Sequence, residues 1–206
     1  MTNQDFIIVD VETTGFRPEE GHCVIEIAAE LLRDGRVAQT FHSLVLSEQP
    51  LSEEAISIHG ITEDLLQKEG RPANEVFPDF VKFAAQIPLI GHNVAFDLGF
   101  INTHLKRLNL QVMNNLIIDT VELARRHLIL PSYSLEKVAA YLKVPQPSAH
   151  RAGVDVAVTR QVFLKLNERA NGNISPTTAP KSVIDIPAPR STLRNFNTNN
   201  DHPRLF

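Results

Sequence analysis

Four carboxylates and one histidine have types and spacings that could do chemistry. Asp10 and Glu12 stand two residues apart at the end of the apolar run FIIVDVE at 6–12. In a strand that spacing puts both side chains on one face, about 6 to 7 Å apart along the chain. Asp97 shares a helical stripe with Phe100, Ile101 and Leu105, the face that should press on a sheet, and a carboxylate there needs a partner. Asp155 opens a helical pattern whose apolar positions are Val154, Ala157, Val158 and Val162. Singly, each has a structural explanation: a strand running out into solvent for Asp10 and Glu12, or the ordinary preference of a helix start for Asp155. Together they imply one cluster, because strand ends and helix starts meet at one edge of an α/β sheet. Like charges about 4 Å apart repel by on the order of 4 kcal/mol at a surface-like dielectric, so such a cluster must be protonated or hold cations. Two divalent ions would cancel four charges, and oxygen-only ligation suits Mg²⁺ or Mn²⁺ rather than zinc. A divalent pair is a known device for phosphoryl chemistry, in which one ion activates water and the other steadies the leaving oxygen. That chemistry wants a base, and His150 lies five residues before Asp155 with an ordinary pKa of about 6.5.

The elements that must position these groups are legible from periodicity. FIIVDVE is a buried first strand, and CVIEIAAELL, Asp34-Gly35 and VAQTFHSLVL form a hairpin. A short helical piece covers Glu53 to His59, and a longer helix runs from about Ala73 to Gln86 on the stripe Val76, Phe80, Val81 and Phe83 or Ala84. PLIGHN supplies a fourth strand, a helix follows from an N-cap at Asn93, and LIID at 116–119 is a fifth strand. Ser134 caps a helix carrying Leu135, Val138, Ala139 and Leu142, and a last helix spans about 153–169. Strands first, then strands alternating with helices, predict an α/β sandwich around a mixed five-stranded sheet flanked by helices.

After Asn171 the prolines 176, 180, 187, 189 and 203 are scattered among Ser, Thr and Asn, which predicts a flexible tail at 171–206 behind one domain at 1–170. The 206-residue chain carries a net −4, with the tail at +2 and residues 1–170 at −6, so a broad basic grip on nucleic acid is excluded. An enzyme that holds a short nucleic-acid end through metals and a few side chains is not. Cys23 is alone and can form no internal disulfide, the start MTNQDFIIVD lacks a secretory head, and no apolar run reaches membrane-spanning length. A cytoplasmic protein without membrane contact is therefore expected.

Three segments, VDVETTGF at 9–16, GHNVAFDLGFI at 91–101 and HRAGVDVAVT at 150–159, resemble in order the three exonuclease motifs of the DEDD superfamily. A histidine five residues before the last aspartate fits the subgroup that uses histidine there. The likeness extends over roughly 5–167, including SIHGIT at 57–62 and DTVELAR at 119–125, and is nearest to the epsilon-type proofreading exonucleases of bacterial DNA polymerase III. It implies a ribonuclease H-like fold and a 3′-5′ exonuclease that releases nucleoside 5′-monophosphates from DNA 3′ ends, in proofreading or repair. It further implies Asp10, Glu12, Asp97 and Asp155 as ligands of two Mg²⁺ or Mn²⁺ ions, with His150 as general base. By the same resemblance Thr13, Glu54, His59 and Phe96 would hold the terminal nucleotide. Val156 departs from the family, where alanine is frequent beside the last aspartate, and Gly153 loosens that turn.

Single-stranded DNA is the favoured substrate. The motifs read no 2′-hydroxyl, so an RNA 3′-5′ exonuclease of the same superfamily stays open, as does a polymerase-docking module that keeps the fold without the chemistry. A DNA polymerase subunit is the expected protein partner. The terminal HPRLF at 202–206 faintly resembles a sliding-clamp-binding peptide through Leu205 and Phe206, although His202 stands where glutamine is usual.

Overall fold

The computed structural model describes residues 4–47, 49–147 and 151–179. His150 and the clamp-like Leu205 and Phe206 lie outside the described residues. The architecture is a mixed sheet with helices on both faces. Strand β1 (Phe6–Thr13) is followed by β2 (Val24–Arg33) and β3 (Arg36–Leu44), then helices α1 (Glu53–His59), α2 (Glu63–Glu69) and α3 (Ala73–Ala84). Strand β4 (Leu89–Gly91), helix α4 (Val94–Arg107), strand β5 (Leu116–Asp119) and helices α5 (Thr120–His127), α6 (Leu135–Tyr141) and α7 (Ala152–Arg169) complete the alternation. A two-residue strand β6 (Thr177–Thr178) closes one edge. The sheet order is β3-β2-β1-β4-β5-β6, so it has six strands rather than the five expected, and the sixth comes from the segment read as tail. Thr177 and Thr178 pair antiparallel with Ile117 and Leu116 on the free edge of β5, a pairing that two isolated threonines beside a proline do not announce.

β1 occupies the centre because its side chains are apolar on both faces. Ile7, Val9 and Val11 pack with Val76, Phe77 and Phe80 of α3 and Leu98, Ile101 and Leu105 of α4. Phe6 and Ile8 point the opposite way and pack with Leu123 of α5, Val138 of α6 and Val156, Val162 and Phe163 of α7. The period of two therefore carries Asp10 and Glu12 onto the α7 side of the sheet. β1 pairs antiparallel with β2 over its whole length, with Glu12 opposite Glu26 and an irregularity just beyond, between Glu12 and Thr13. Its parallel pairing with β4 covers only Ile7 and Ile8, so the second half of β1 overhangs the short β4. The β2–β3 turn has Asp34 at φ 51 and Gly35 at φ 76, the primed turn that an Asp-Gly pair favours.

Asn93 departs from expectation. It precedes α4, yet its φ is 74 and its side chain caps no amide of the helix; instead its own backbone N–H donates to Asp119 Oδ1 at 3.1 Å. Ser134 does cap α6, accepting from the Lys137 amide. Among the described residues no helix is long and apolar enough to cross a membrane.

Phe77 is fully buried and stacks on the His104 ring at 4.4 Å, while His104 Nε2 accepts the Val24 amide at 3.0 Å. Phe77→Ala is expected to destabilise the domain by about 3–5 kcal/mol in chemical denaturation; a change under about 1 kcal/mol would show that this layer does not hold α3 and α4 to the sheet.

Candidate metal centre

Asp10 and Glu12 on β1 and Asp155 in the first turn of α7 each offer a carboxylate oxygen, and the three oxygens lie within 4.8 Å of one another. All three residues are half-buried. One strand end and one helix start thus bring Asp155 to Asp10 and Glu12 across more than 140 residues of sequence. Asp97 takes another place. It is 4% exposed and its Oδ1 accepts the Val11 amide at 3.0 Å. The short β4 explains this: where β1 overhangs it, the Val11 N–H has no strand partner, and the first turn of α4 supplies a carboxylate in its stead. Asp97 stands outside the three-oxygen group, though close enough for its charge to push Asp10 upward.

The electrostatics are those of a site that is short of positive charge. Asp10 is held well above the usual carboxylate range, first by burial and then by the charges of Asp97, Glu12, Asp155 and Glu26. Glu12 is pushed up to about 8 by burial, then by Asp155, Glu26 and Asp97, with Arg151 opposing. Burial also raises Asp97 against the pull of its backbone hydrogen bonds. Carboxylates that resist ionisation because they crowd each other become willing ligands once a cation shares the space. An oxygen-only set of this kind could hold a hard divalent cation.

The remaining residues expected at the site are placed as follows. Thr13 follows Glu12 on β1, and its hydroxyl donates to the Gly15 carbonyl at 2.6 Å. His59 is 3% exposed at the end of α1; its Nδ1 accepts the Ile61 amide at 3.0 Å. A ring nitrogen that accepts has no proton, so the neutral imidazole carries its proton on Nε2, and that buried atom has no partner among the described residues. Burial pushes the His59 pKa down, and the charges of Glu26 and Arg151 act on it in opposite directions, which places it near both. Phe96 is half-buried against the α3–α4 core with its ring 4.9 Å from that of Phe100. Glu54 is exposed in the first turn of α1, facing solvent.

Glu26, Arg151 and Asp119 belong to the site region and were not singled out from sequence. Glu26 lies across the ladder from Glu12, is 1% exposed and is paired with Arg151. Its signal was a charge flanked by isoleucines in the run VIEIAAELL. Asp119, at the end of β5, accepts the amides of Asn93 and Val121, and so fixes the turn from which α4 presents Asp97.

The raised carboxylates have a consequence for stability. A group whose pKa rises on folding contributes fully below its unfolded value and loses that contribution as pH climbs through its folded value. For Glu12 the window runs from 4.5 to about 8. In chelator, the melting temperature of Glu12→Gln should therefore pull ahead of the parent as pH rises through that window, by a few degrees, since ~1 kcal/mol moves a domain of this size by about 2–4 °C. Mn²⁺ should close the gap by stabilising the parent selectively. A gap independent of pH would contradict this electrostatic account.

Comparison with known proteins agrees with the geometry. Residues 7–163 match the RNase_T family, described as Exonuclease. The PolC-type DNA polymerase III of Thermotoga petrophila is 34% identical over 166 residues, covering 81% of this chain and 12% of that protein. The 3′-5′ exonuclease DinG of Bacillus subtilis is 29% identical over 180 residues, covering 86% of this chain and 19% of that one. The matched segment is thus less than a fifth of either relative's length. The structure of Exonuclease X in complex with 5′ overhanging duplex DNA superposes with a TM-score of 0.63 at 26% identity, covering 81% of this chain and 93% of that one. E. coli Exonuclease I in complex with a dA16 oligonucleotide gives a TM-score of 0.73 at 19% identity over 82% of this chain and 42% of that one, a likeness of fold. With a family match that runs from β1 to α7 and takes in the acids at both ends, the chain belongs to the RNase_T exonuclease family of the DEDD superfamily.

Proposed function

We propose that this chain is a divalent-metal-dependent 3′-5′ exonuclease that hydrolyses the terminal phosphodiester of DNA and releases nucleoside 5′-monophosphates. The observation that carries the proposal is the meeting of the Asp10, Glu12 and Asp155 oxygens within 4.8 Å in a member of an exonuclease family. Asp10, Glu12, Asp97 and Asp155 are the residues that would hold two Mg²⁺ or Mn²⁺ ions. Such a pair supplies, when bound, a lowered pKa for the attacking water and neutralisation of the charge that gathers on the leaving oxygen.

The chain's own residues do the rest. Asp97 is tied to the Val11 amide and so keeps α4 against the strand between Asp10 and Glu12. His150, two residues before the first residue of the helix that carries Asp155, would take the proton of the attacking water as general base. His59 offers a buried Nε2–H that no described protein atom accepts, which suits an oxygen of the terminal nucleotide. Thr13, Phe96 and Glu54 complete the seat for that nucleotide, Phe96 with the exposed part of its ring and Glu54 from the solvent side of α1.

DNA is favoured because the relatives and neighbours are a DNA polymerase and enzymes crystallised with duplex-overhang or single-stranded DNA. The PolC-type polymerase among the relatives supports a proofreading role like that of the epsilon exonucleases, beside a polymerase subunit; a stand-alone repair role would use the same site.

A 5′-labelled oligonucleotide tests this. With Mn²⁺ or Mg²⁺ the strand should shorten one nucleotide at a time; chelator, Asp10→Ala or Asp97→Ala should abolish the ladder. His150→Ala should lower turnover by about 10²–10⁴-fold while metal binding is retained. A ladder that persists in chelator would overturn the metal mechanism, and unchanged turnover in the His150 variant would remove its role. An RNA strand of the same sequence, if degraded faster than DNA, would move the assignment to an exoribonuclease.

A further inference from the structure

Glu26 is a buried charge placed where it should do harm. It lies directly across the β1–β2 ladder from Glu12, and like charges in that relation destabilise a sheet. It is 1% exposed, and an ionised carboxylate there is tolerated only if its oxygens are fully paired. They are. Arg151 Nε donates to Oε1 and Oε2 at 3.1 and 3.0 Å, and Arg151 Nη2 donates to Oε1 at 2.6 Å. The Ala152 amide donates to Oε2 at 3.0 Å, and His42 Nε2 lies 2.8 Å from Oε1.

Two of these partners belong to the start of α7. Arg151 is the N-cap position of that helix, in extended conformation, and its side chain caps nothing in the helix itself. Ala152 is the first helical residue, whose amide has no partner within the helix. Glu26 therefore performs from β2 the capping that the helix lacks, and at the same time clamps the side chain that precedes it. The Arg151 carbonyl in turn accepts the amides of Val154 and Asp155, so the clamp reaches the backbone of Asp155 through one carbonyl.

We propose that Glu26 and Arg151 form a positioning pair for the metal centre, in which Glu26 locks the first turn of α7 to β2 and so sets Asp155 against Glu12 on the neighbouring strand. This rests on the metal-centre reading above and deepens it. Outer partners of this kind commonly change metal affinity by about 10–100-fold when removed.

A second ion pair on the same helix provides the control. Arg160 Nε donates to Glu30 at 2.6 Å, joining α7 to β2 about two turns further on, on the far side of Asp155 from Arg151. Both pairs dock the helix; only the first reaches the turn that presents Asp155.

The sign of the Arg151 effect separates positioning from a plain field effect. As a nearby positive charge Arg151 repels a cation, so if only through-space charge mattered, Arg151→Met would tighten metal binding. Positioning requires the reverse. The experiment measures Mn²⁺ binding to the purified chain from the electron paramagnetic resonance signal of free Mn²⁺, with melting curves for every variant. Arg151→Met and Glu26→Gln should each weaken binding by about 10–100-fold. The double variant should be about as weak as the weaker single one, because both break the same link, and Arg160→Met should lower the melting temperature without moving Mn²⁺ affinity. If Glu26→Gln does not fold, Arg151→Met carries the sign test alone, since its side chain is partly exposed. Tighter or unchanged binding in Arg151→Met, or equal weakening in Arg160→Met, overturns the positioning pair while leaving the metal centre intact. Parent protein that binds no Mn²⁺, or binding that survives Asp10→Asn, overturns the metal centre and the pair with it.

Discussion

The constraint on which the rest of this structure depends is the crowding of carboxylates at the end of β1. Asp10, Glu12 and Asp155 put three oxygens within 4.8 Å, with Asp97 behind them and Glu26 across the ladder. A fold does not gather such groups for its own stability, because each is pushed toward its neutral form by burial and by its neighbours. The surrounding structure is arranged to hold them in spite of that. The apolar remainder of β1 is buried on both faces, α4 is anchored where β4 stops short, and α7 is fastened to β2 by two ion pairs.

The acids differ in how the fold manages their charge. Glu26 is fully paired and is held below the usual glutamate range despite its burial, by Arg151, His42 and the Ala152 amide. Asp97 is half satisfied, by a backbone amide. Asp10 and Glu12 are raised by burial and then by the charges of their neighbours. This gradient, from a neutralised pair at the back to uncompensated oxygens at the front, is what a cation site requires. It also shows why removing Glu26 and removing Asp10 are different perturbations, although both delete a negative charge.

Much of this was legible in the sequence. The face shared by Asp10 and Glu12 follows from a period of two, and the anomalous Asp97 from a period of three and four, so the converging acids could be named without coordinates. The strand and helix order was legible for the same reason. What escaped was local or relational. β6 is two threonines in a proline-rich stretch, defined only by the β5 edge it meets. α2 and α5 are one to two turns of largely polar sequence with short apolar stripes. Asn93 looks like a cap, but Asp119, distant in sequence, takes its amide and leaves it in a left-handed conformation. Glu26 reads as one of several charges in a strand, and its meaning exists only with Arg151 in view. Pair relations between distant residues are the part of a site that one sequence does not display.

The most direct measurement of the central claim is anomalous diffraction from crystals of the chain soaked in Mn²⁺. The account requires anomalous density between the carboxylates of Asp10, Glu12 and Asp155, lost in crystals of Asp10→Asn. Well-ordered side chains with no anomalous density between them, or density only at acids elsewhere on the surface, would contradict it.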